Sequence, residues 1–316
     1  MIGAVLMLAG GIALLWISAE GLVRGASTLG RMAGIPAIVI GLTIVSIGTS
    51  APELVVSLLA ALRGSPDLAA GNVLGSNLAN IGLILGLAAL LRPLDISLQV
   101  IRREVPWMIG ITILTLPLLW NLRAGRLEGA IMAALLFVYL VLLVRMTKAE
   151  EPTAAVEFPF PEVGRPRGGW VPLLMVAGGV LGLVLGGQGI VAGATMLAAA
   201  AGIPEVIVGL SVVAVGTSLP ELATTVIAAI RREADLAVGN IVGSNIFNLT
   251  FVLGGTALVH PISIDPLLLR VEYPAVLVMT LFLLPLISTR RNLGRWEGAM
   301  LLGLYAAAWG WILISR

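Results

Sequence analysis

The chain contains no cysteine, which excludes disulfides, thiolate metal sites and cysteine nucleophiles. It has one histidine, His260, beside Pro261 at the end of an apolar run. No nucleophile–base constellation and no phosphate-cradling loop accompany it, so a loop role is expected there and no enzyme activity. Charge is scarce as well. Only 11% of the 316 residues are charged and 59% are hydrophobic, with a mean hydropathy of +1.06. Soluble domains carry roughly 25% charged residues, and a soluble fold of this length could not hide so much apolar surface. The composition is that of a polytopic membrane protein. The net charge of +2 says little, because the placement of charges matters more than their sum. The basic residues read as topology signals, and nucleic-acid binding has no support.

A membrane helix needs about 20 apolar residues. That length predicts ten spans near 2–23, 36–61, 69–90, 105–120, 127–145, 170–200, 204–230, 237–258, 272–288 and 297–314, the sixth as one helix or two pieces. The opening "MIGAVLMLAGGIALLWISAEG" lacks a basic n-region and a clear cleavage site, and reads as the first span. The stretch 146–168 is the one sizeable polar interruption, and its prolines and glutamates suit an exposed connector. Its Glu150, Glu151, Glu157 and Glu162 read as a solvated charge run. With sides alternating loop by loop, every basic residue except Arg63, Arg123, Arg126, Arg270 and Arg316 falls on one side. The positive-inside rule makes that side cytoplasmic. Both termini and the five exceptions are then extracytoplasmic, and the connector is cytoplasmic.

The sequence is written twice. A shift of 168 residues lays 209–258 over 41–90, with "GTSAPE" (48–53) returning as "GTSLPE" (216–221) and "GNVLGSNLAN" (71–80) as "GNIVGSNIFN" (239–248). The match reaches "AGIP" at 33–36 and 201–204, and weakly Glu104 and Glu272. Residues 1–145 and 169–316 each hold five spans, and an odd number inverts the second half. The expected fold is all-α: ten transmembrane helices as two inverted five-helix repeats. Inverted repeats are typical of secondary transporters, whose sites lie near the bilayer midplane.

Glu53 and Glu221 are the acids closest to the middle of any span. A charged residue there costs at least about 2.5 kcal/mol on insertion scales, and usually faces a polar cavity. Ser46, Thr49, Ser50 and Glu53 share one helical face by their spacing, and Ala214, Thr217, Ser218 and Glu221 repeat it. Pro52 and Pro220 cannot donate to the carbonyls of Gly48 and Gly216, so a broken helix should turn free carbonyls beside each acid. In the next span Asn72, Ser76 and Asn80 form a polar stripe, matched by Asn240, Ser244 and Asn248. These should face the glutamates. Asn77 and Asn245 lie off the stripe and should partly join helices. Gly71, Gly75, Gly239 and Gly243 have the small-xxx-small spacing of close helix contacts. The donors are all hard oxygens, and two glutamates match one divalent ion. Calcium, which takes about six to eight oxygens in flexible geometry, suits them better than magnesium. The residues point to an inverted-repeat transporter of a small hard cation and leave the coupling ion open.

The doubled motifs resemble the alpha-repeats of the cation/calcium exchanger superfamily, most closely its bacterial and archaeal calcium/sodium antiporters. The resemblance implies alternating-access exchange of calcium for sodium, with no cofactor. It implies a site at the centre of four core helices. Glu53, Glu221 and the carbonyls of Thr49 and Thr217 would bind calcium. Sodium would use the Ser46 carbonyl, Thr49, Ser50, Ser76 and Glu53 on one side. On the other it would use the Ala214 carbonyl, Thr217, Ser218, Ser244 and Glu221. Asn80 and Asn248 would flank a middle site. The first and sixth spans would slide over a fixed core, with glycine-rich runs such as "GGVLGLVLGGQG" (178–189) as a low-friction surface. The partners implied are the ions and the lipid bilayer of the cell membrane, with no protein partner required and a monomer sufficing. Some family members carry an aspartate where this chain has Asn248. Two carboxylates in place of three do not support a three-sodium stoichiometry and leave proton/calcium exchange open. Protons should compete with calcium for the buried glutamates under either coupling. A passive channel also uses acids, but inverted repeats with broken helices favour alternating access. A non-transporting sensor is disfavoured, since the connector is too short for a regulatory domain.

Overall fold

The structure, a computed structural model, describes residues 2–149, 170–201 and 214–315. Most of the 146–168 connector and the start of the seventh expected span, 204–213, lie outside the described residues. The rest is helical. In chain order the helices are α1 (Ile2–Ala33), α2 (Ala37–Thr49), α3 (Ala51–Leu62), α4 (Pro66–Leu91), α5 (Val105–Leu118) and α6 (Arg126–Ala149). After the connector come α7 (Trp170–Ala200), α8 (Ala214–Thr217), α9 (Leu219–Ile230), α10 (Ala234–Val259), α11 (Leu268–Ser288) and α12 (Arg295–Ser315). Among the described residues seven helices are long and apolar enough to cross a membrane, and the bent pair α2–α3 makes an eighth.

The breaks have local causes. Gly34 at φ +65° stops α1, which runs a full ten residues beyond its expected end, and Pro36 prevents its continuation. Ser50 (φ −84°, ψ 4°) interrupts the second span, and Pro52 then occupies the first turn of α3, where no amide hydrogen is needed. The two halves meet at 42°. Ser218 (φ −87°, ψ 4°) and Pro220 repeat this between α8 and α9. Short π-helical turns, which recur at functional sites, open at Asn80 (Asn80–Ile84) and at its counterpart Asn248 (Asn248–Val252).

Four two-residue strands tie the loops together: β1 (Leu94–Asp95), β2 (Arg123–Ala124), β3 (Ile262–Ser263) and β4 (Asn292–Leu293). β1 pairs with β4, and β2 with β3, both antiparallel. At the β1–β4 end, Arg92 donates to the Ile230 carbonyl and Arg231 forms an ion pair with Glu20, which also pairs with Arg24 at 2.7 Å. At the β2–β3 end, Asp67 accepts from the amide of Asp265.

The core helices are α4 and α10, which are the most enclosed, while α12 presents most of its surface outward. α1 packs along α7. The sixth span is one unbroken helix, because its glycines are spaced for packing and no proline lies beyond Pro172 in its first turn. Much of its glycine face lies against α1, while a methyl at Gly187 would lie 3.5 Å from the Gly216 carbonyl and 3.9 Å from Pro220 at the core break. A methyl at Gly179 would fall 2.9 Å from the Ser18 carbonyl, at Gly186 2.9 Å from the Leu15 amide, and at Gly193 2.8 Å from the Ala4 carbonyl. These glycines bind α7 to α1, backbone against backbone. Gly48 and Gly216 also meet α7: a methyl on them would collide with Val180 and Val191 respectively. Close approach explains these two glycines better than relief of the neighbouring break.

Candidate cation-binding site

The two helix breaks face each other across the core. Glu53 and Glu221 are 0% and 1% exposed, so neither carboxylate reaches solvent. Ser218 donates to Glu53 Oε1 at 3.3 Å, and Ser50 donates to Glu221 Oε1 at 3.1 Å. Each serine therefore holds the carboxylate of the other repeat. The threonines do the same for the asparagines. Thr49 donates to Asn240 Oδ1 at 3.2 Å and Thr217 to Asn72 Oδ1 at 3.4 Å. Ser76 joins the first set, its hydroxyl 3.3 Å from that of Ser218. Ser46, also fully buried, donates to the carbonyls of Gly41 and Asn240.

This pairing differs from the grouping expected from sequence, in which Ser50 went with Glu53 and Ser218 with Glu221. The reason is the break itself. Ser50 and Ser218 leave the α-helical region at ψ 4°, so they no longer share a face with the glutamate three residues on. Side chains at the two breaks reach across to each other instead. Of Ala214 the structure describes the backbone, at the start of α8.

The stripes lie as expected against the breaks. Asn72 donates to the Glu53 carbonyl at 3.3 Å and to Ser57 at 3.0 Å, and Asn240 donates to Thr225 at 3.0 Å. Ser57 and Thr225, which orient these amides, went unnoticed in the sequence. Their signal was there: both lie four residues after the glutamate, a polar residue at the same place in each repeat. Asn77 does join helices, its Nδ2 donating to the Asn245 backbone carbonyl at 3.3 Å, whereas the Asn245 side chain donates to the Ile241 carbonyl of its own helix. The small-xxx-small expectation holds for Gly239 and Gly243, where added methyls would lie within 3 Å of Ile38 and Leu42 of α2. The segment that would face Gly71 and Gly75 by the same repeat relation lies outside the described residues.

What remains after these bonds is chemically selective. Glu53 Oε2, Glu221 Oε2, Ser244 Oγ, Asn248 Oδ1 and both polar atoms of Asn80 are buried and unpartnered among the described residues. An unmet buried polar atom costs about 1–3 kcal/mol, and more when charged, so such a cluster suits a ligand that supplies the missing interaction. The orphans are mostly oxygens, the donor set of a hard cation. No group of three histidines or acids lies close enough to hold a metal among the described residues. A cation bound here would therefore meet two carboxylates and neutral oxygens.

A further buried carboxylate stands apart from this site. Glu104 (0% exposed) accepts from Arg103 at 2.6 Å and from Tyr139 at 3.1 Å, a satisfied structural pair. His260 is exposed at a helix end, its ring 3.1 Å from the Pro261 carbonyl.

The doubled site and its helical frame coincide with a known group. The sequence model described as "Sodium/calcium exchanger protein" matches residues 3–145 and 171–313. The chain belongs to this family. It is thus a multi-pass membrane protein of an exchanger family. Among its relatives, the inner membrane protein YrbG of Escherichia coli is 39% identical over 96% of this chain and 94% of its own. The sodium/calcium exchanger MaX1 of Methanosarcina acetivorans is 32% identical over 90% of this chain and 91% of its own. The solved structure of the sodium-calcium exchanger NCX_Mj superposes with a TM-score of 0.85 at 28% identity, covering 98% of both chains.

Proposed function

We propose that this exchanger is a secondary active antiporter that moves calcium against sodium across the cell membrane by alternating access. The observation that carries the reading is the crossed pair of buried carboxylates, Ser218–Glu53 and Ser50–Glu221, with one free oxygen on each acid. Two negative charges balance one calcium ion or two sodium ions, and the neutral oxygens around them suit both. The names of MaX1 and NCX_Mj as sodium/calcium exchangers support the same choice of ions.

Calcium is assigned to Glu53, Glu221 and the carbonyls of Thr49 and Thr217. The hydrogen bonds favour crossed sodium sets: Glu53 with Ser76, Thr217, Ser218 and the Ala214 carbonyl, and Glu221 with Ser244, Thr49, Ser50 and the Ser46 carbonyl. Asn80 and Asn248 flank the middle. The chain divides into a first five-span repeat (1–145), a connector (146–168) and a second, inverted repeat (169–316). Ten spans place the β1–β4 loops on one side and the β2–β3 loops on the other, and the strand pairings agree with that count. The arginine-rich β1–β4 end would be cytoplasmic and both termini extracytoplasmic.

The test is uptake of radioactive calcium into proteoliposomes with the potential clamped, under an outward sodium gradient, an outward proton gradient or neither. Sodium-driven uptake establishes the antiporter. Uptake driven by protons alone would move the coupling to protons, and uptake with no counter-gradient would make the protein a channel.

A further inference from the structure

The two middle asparagines do not have equal freedom. The backbone carbonyl of Asn245 can only accept, and it takes a hydrogen from Asn77 Nδ2 at 3.3 Å. This turns Asn77 Oδ1 the other way, where it accepts from Asn248 Nδ2 at 3.0 Å. Asn248 is left with its Oδ1 buried and unpartnered. The order of these bonds is forced. Turning Asn248 over would set two carbonyl oxygens face to face. Turning Asn77 over, alone or with Asn248, would set its oxygen against the Asn245 carbonyl. Both side chains are 0% exposed, so water cannot relieve either mismatch.

In the other repeat the matching relay is not made. Asn245, the counterpart of Asn77, donates to the Ile241 carbonyl of its own helix at 2.8 Å, and Asn80 has no partner on either arm among the described residues. Only one of the two middle amides is held. Asn248 stands one turn beyond Ser244 on the stripe whose Asn240 is bonded to Thr49, at the first residue of a π-helical turn.

We infer that Asn77 is a positioning residue: it fixes the Asn248 amide with its oxygen, and not its NH2 group, presented to the cation site. The inference rests on the exchanger reading above. Asn77 touches no ion itself. Its two-faced amide lets a backbone carbonyl on one side dictate the polarity of a ligand on the other.

A double-mutant cycle tests this. An aspartate at 248 carries oxygen on both arms, so no wrong orientation exists for Asn77 to prevent. Asn77→Ala is compared with the parent in two backgrounds, wild type and Asn248→Asp, by the calcium half-saturation and maximal rate of uptake and by calcium-dependent thermal stabilisation. In the wild-type background Asn77→Ala is expected to raise half-saturation about tenfold, the size of one oriented polar contact, with a smaller change in maximal rate. In the Asn248→Asp background Asn77 Oδ1 faces an oxygen instead of an NH2 group, so the same change should not raise half-saturation by more than about twofold, and a fall is consistent with the inference. Equal losses in both backgrounds would mean that Asn77 only packs helices, and would overturn the inference. Should Asn77→Ala fail to fold, Asn77→Asp decides: buried as the neutral acid, it donates its proton to the Asn245 carbonyl while its other oxygen still accepts from Asn248, so half-saturation should stay within about threefold of wild type, and a larger loss overturns the inference. Absence of driven calcium uptake by the wild type itself would instead sink the exchanger reading, while calcium-dependent stabilisation would still report on Asn77.

Discussion

Ser50 donates its hydroxyl hydrogen to Glu221 at 3.1 Å, although the two residues lie in different copies of the repeated motif. Ser218 and Glu53 make the reciprocal contact. Each carboxylate is thus held by a helix break that belongs to the opposite repeat, and neither half of the chain can complete a site alone.

The glutamates carry the charge that a cation must meet. Glu53→Gln or Glu221→Gln is expected to abolish calcium exchange while leaving a folded, monodisperse protein, because a neutral amide keeps the size and removes the charge. Radioactive calcium uptake by the purified variants checks this, and normal transport by either would refute the central-site assignment.

The crossed serines should matter less. Ser50→Ala and Ser218→Ala each remove one bond to a charged acceptor, worth about 1.5–3 kcal/mol. Ten-fold or greater weakening of sodium dependence is expected, with the Ser218→Ala, Glu53→Gln double variant no worse than Glu53→Gln alone. Sodium-dependent thermal stabilisation of the purified variants gives the answer, since it does not require transport by the Glu53→Gln background; additive losses would show that Ser218 does not act through Glu53.

Asn248→Asp adds a third carboxylate to the site. Cation affinity should rise or the sodium dependence should change. If titrations of both ions match the wild type, Asn248 lies outside the site.

Gly243 is where α10 touches α2. A methyl there would strike the Ser46 hydroxyl and come within 2.9 Å of the Leu42 backbone. Gly243→Ala should lower the thermal midpoint through an overpacking cost of about 1–3 kcal/mol, and should also displace Ser46. Gly303→Ala, at an exposed position with nothing within 4 Å of the added carbon, is the matched control and should not destabilise. Equal midpoints for the two variants would contradict the packing.

Glu20 ties α1 to Arg231 at the end of α9, beside a cavity of about 640 Å³ lined by Trp16, Ile17, Ile227 and Ile230. Both partners are partly exposed (24% and 23%), which limits the pair to about 1 kcal/mol or less. Glu20→Gln should raise labelling of a single cysteine at Ile227 by no more than about fivefold. The chain has no other cysteine to confuse the measurement. Unchanged labelling would show that the pair does not restrain α1.

The membrane class, the doubled motif and the two central glutamates were legible from composition and spacing, because each depends on residue type and local period alone. Helical period placed Asn72, Ser76 and Asn80 on one face, and proline chemistry located the breaks to within two residues. Three things were not legible. Which serine serves which glutamate depends on how the interrupted helices cross, since ψ near zero at Ser50 and Ser218 takes them off the face that spacing assigns. The purpose of the glycine runs depends on which helix lies alongside, and that helix proved to be α1. The orientation of Asn248 depends on a carbonyl brought up by another helix. Sequence determines periodic faces and chemical type; contacts between residues about 170 positions apart are set by packing, and only the tertiary structure decides them.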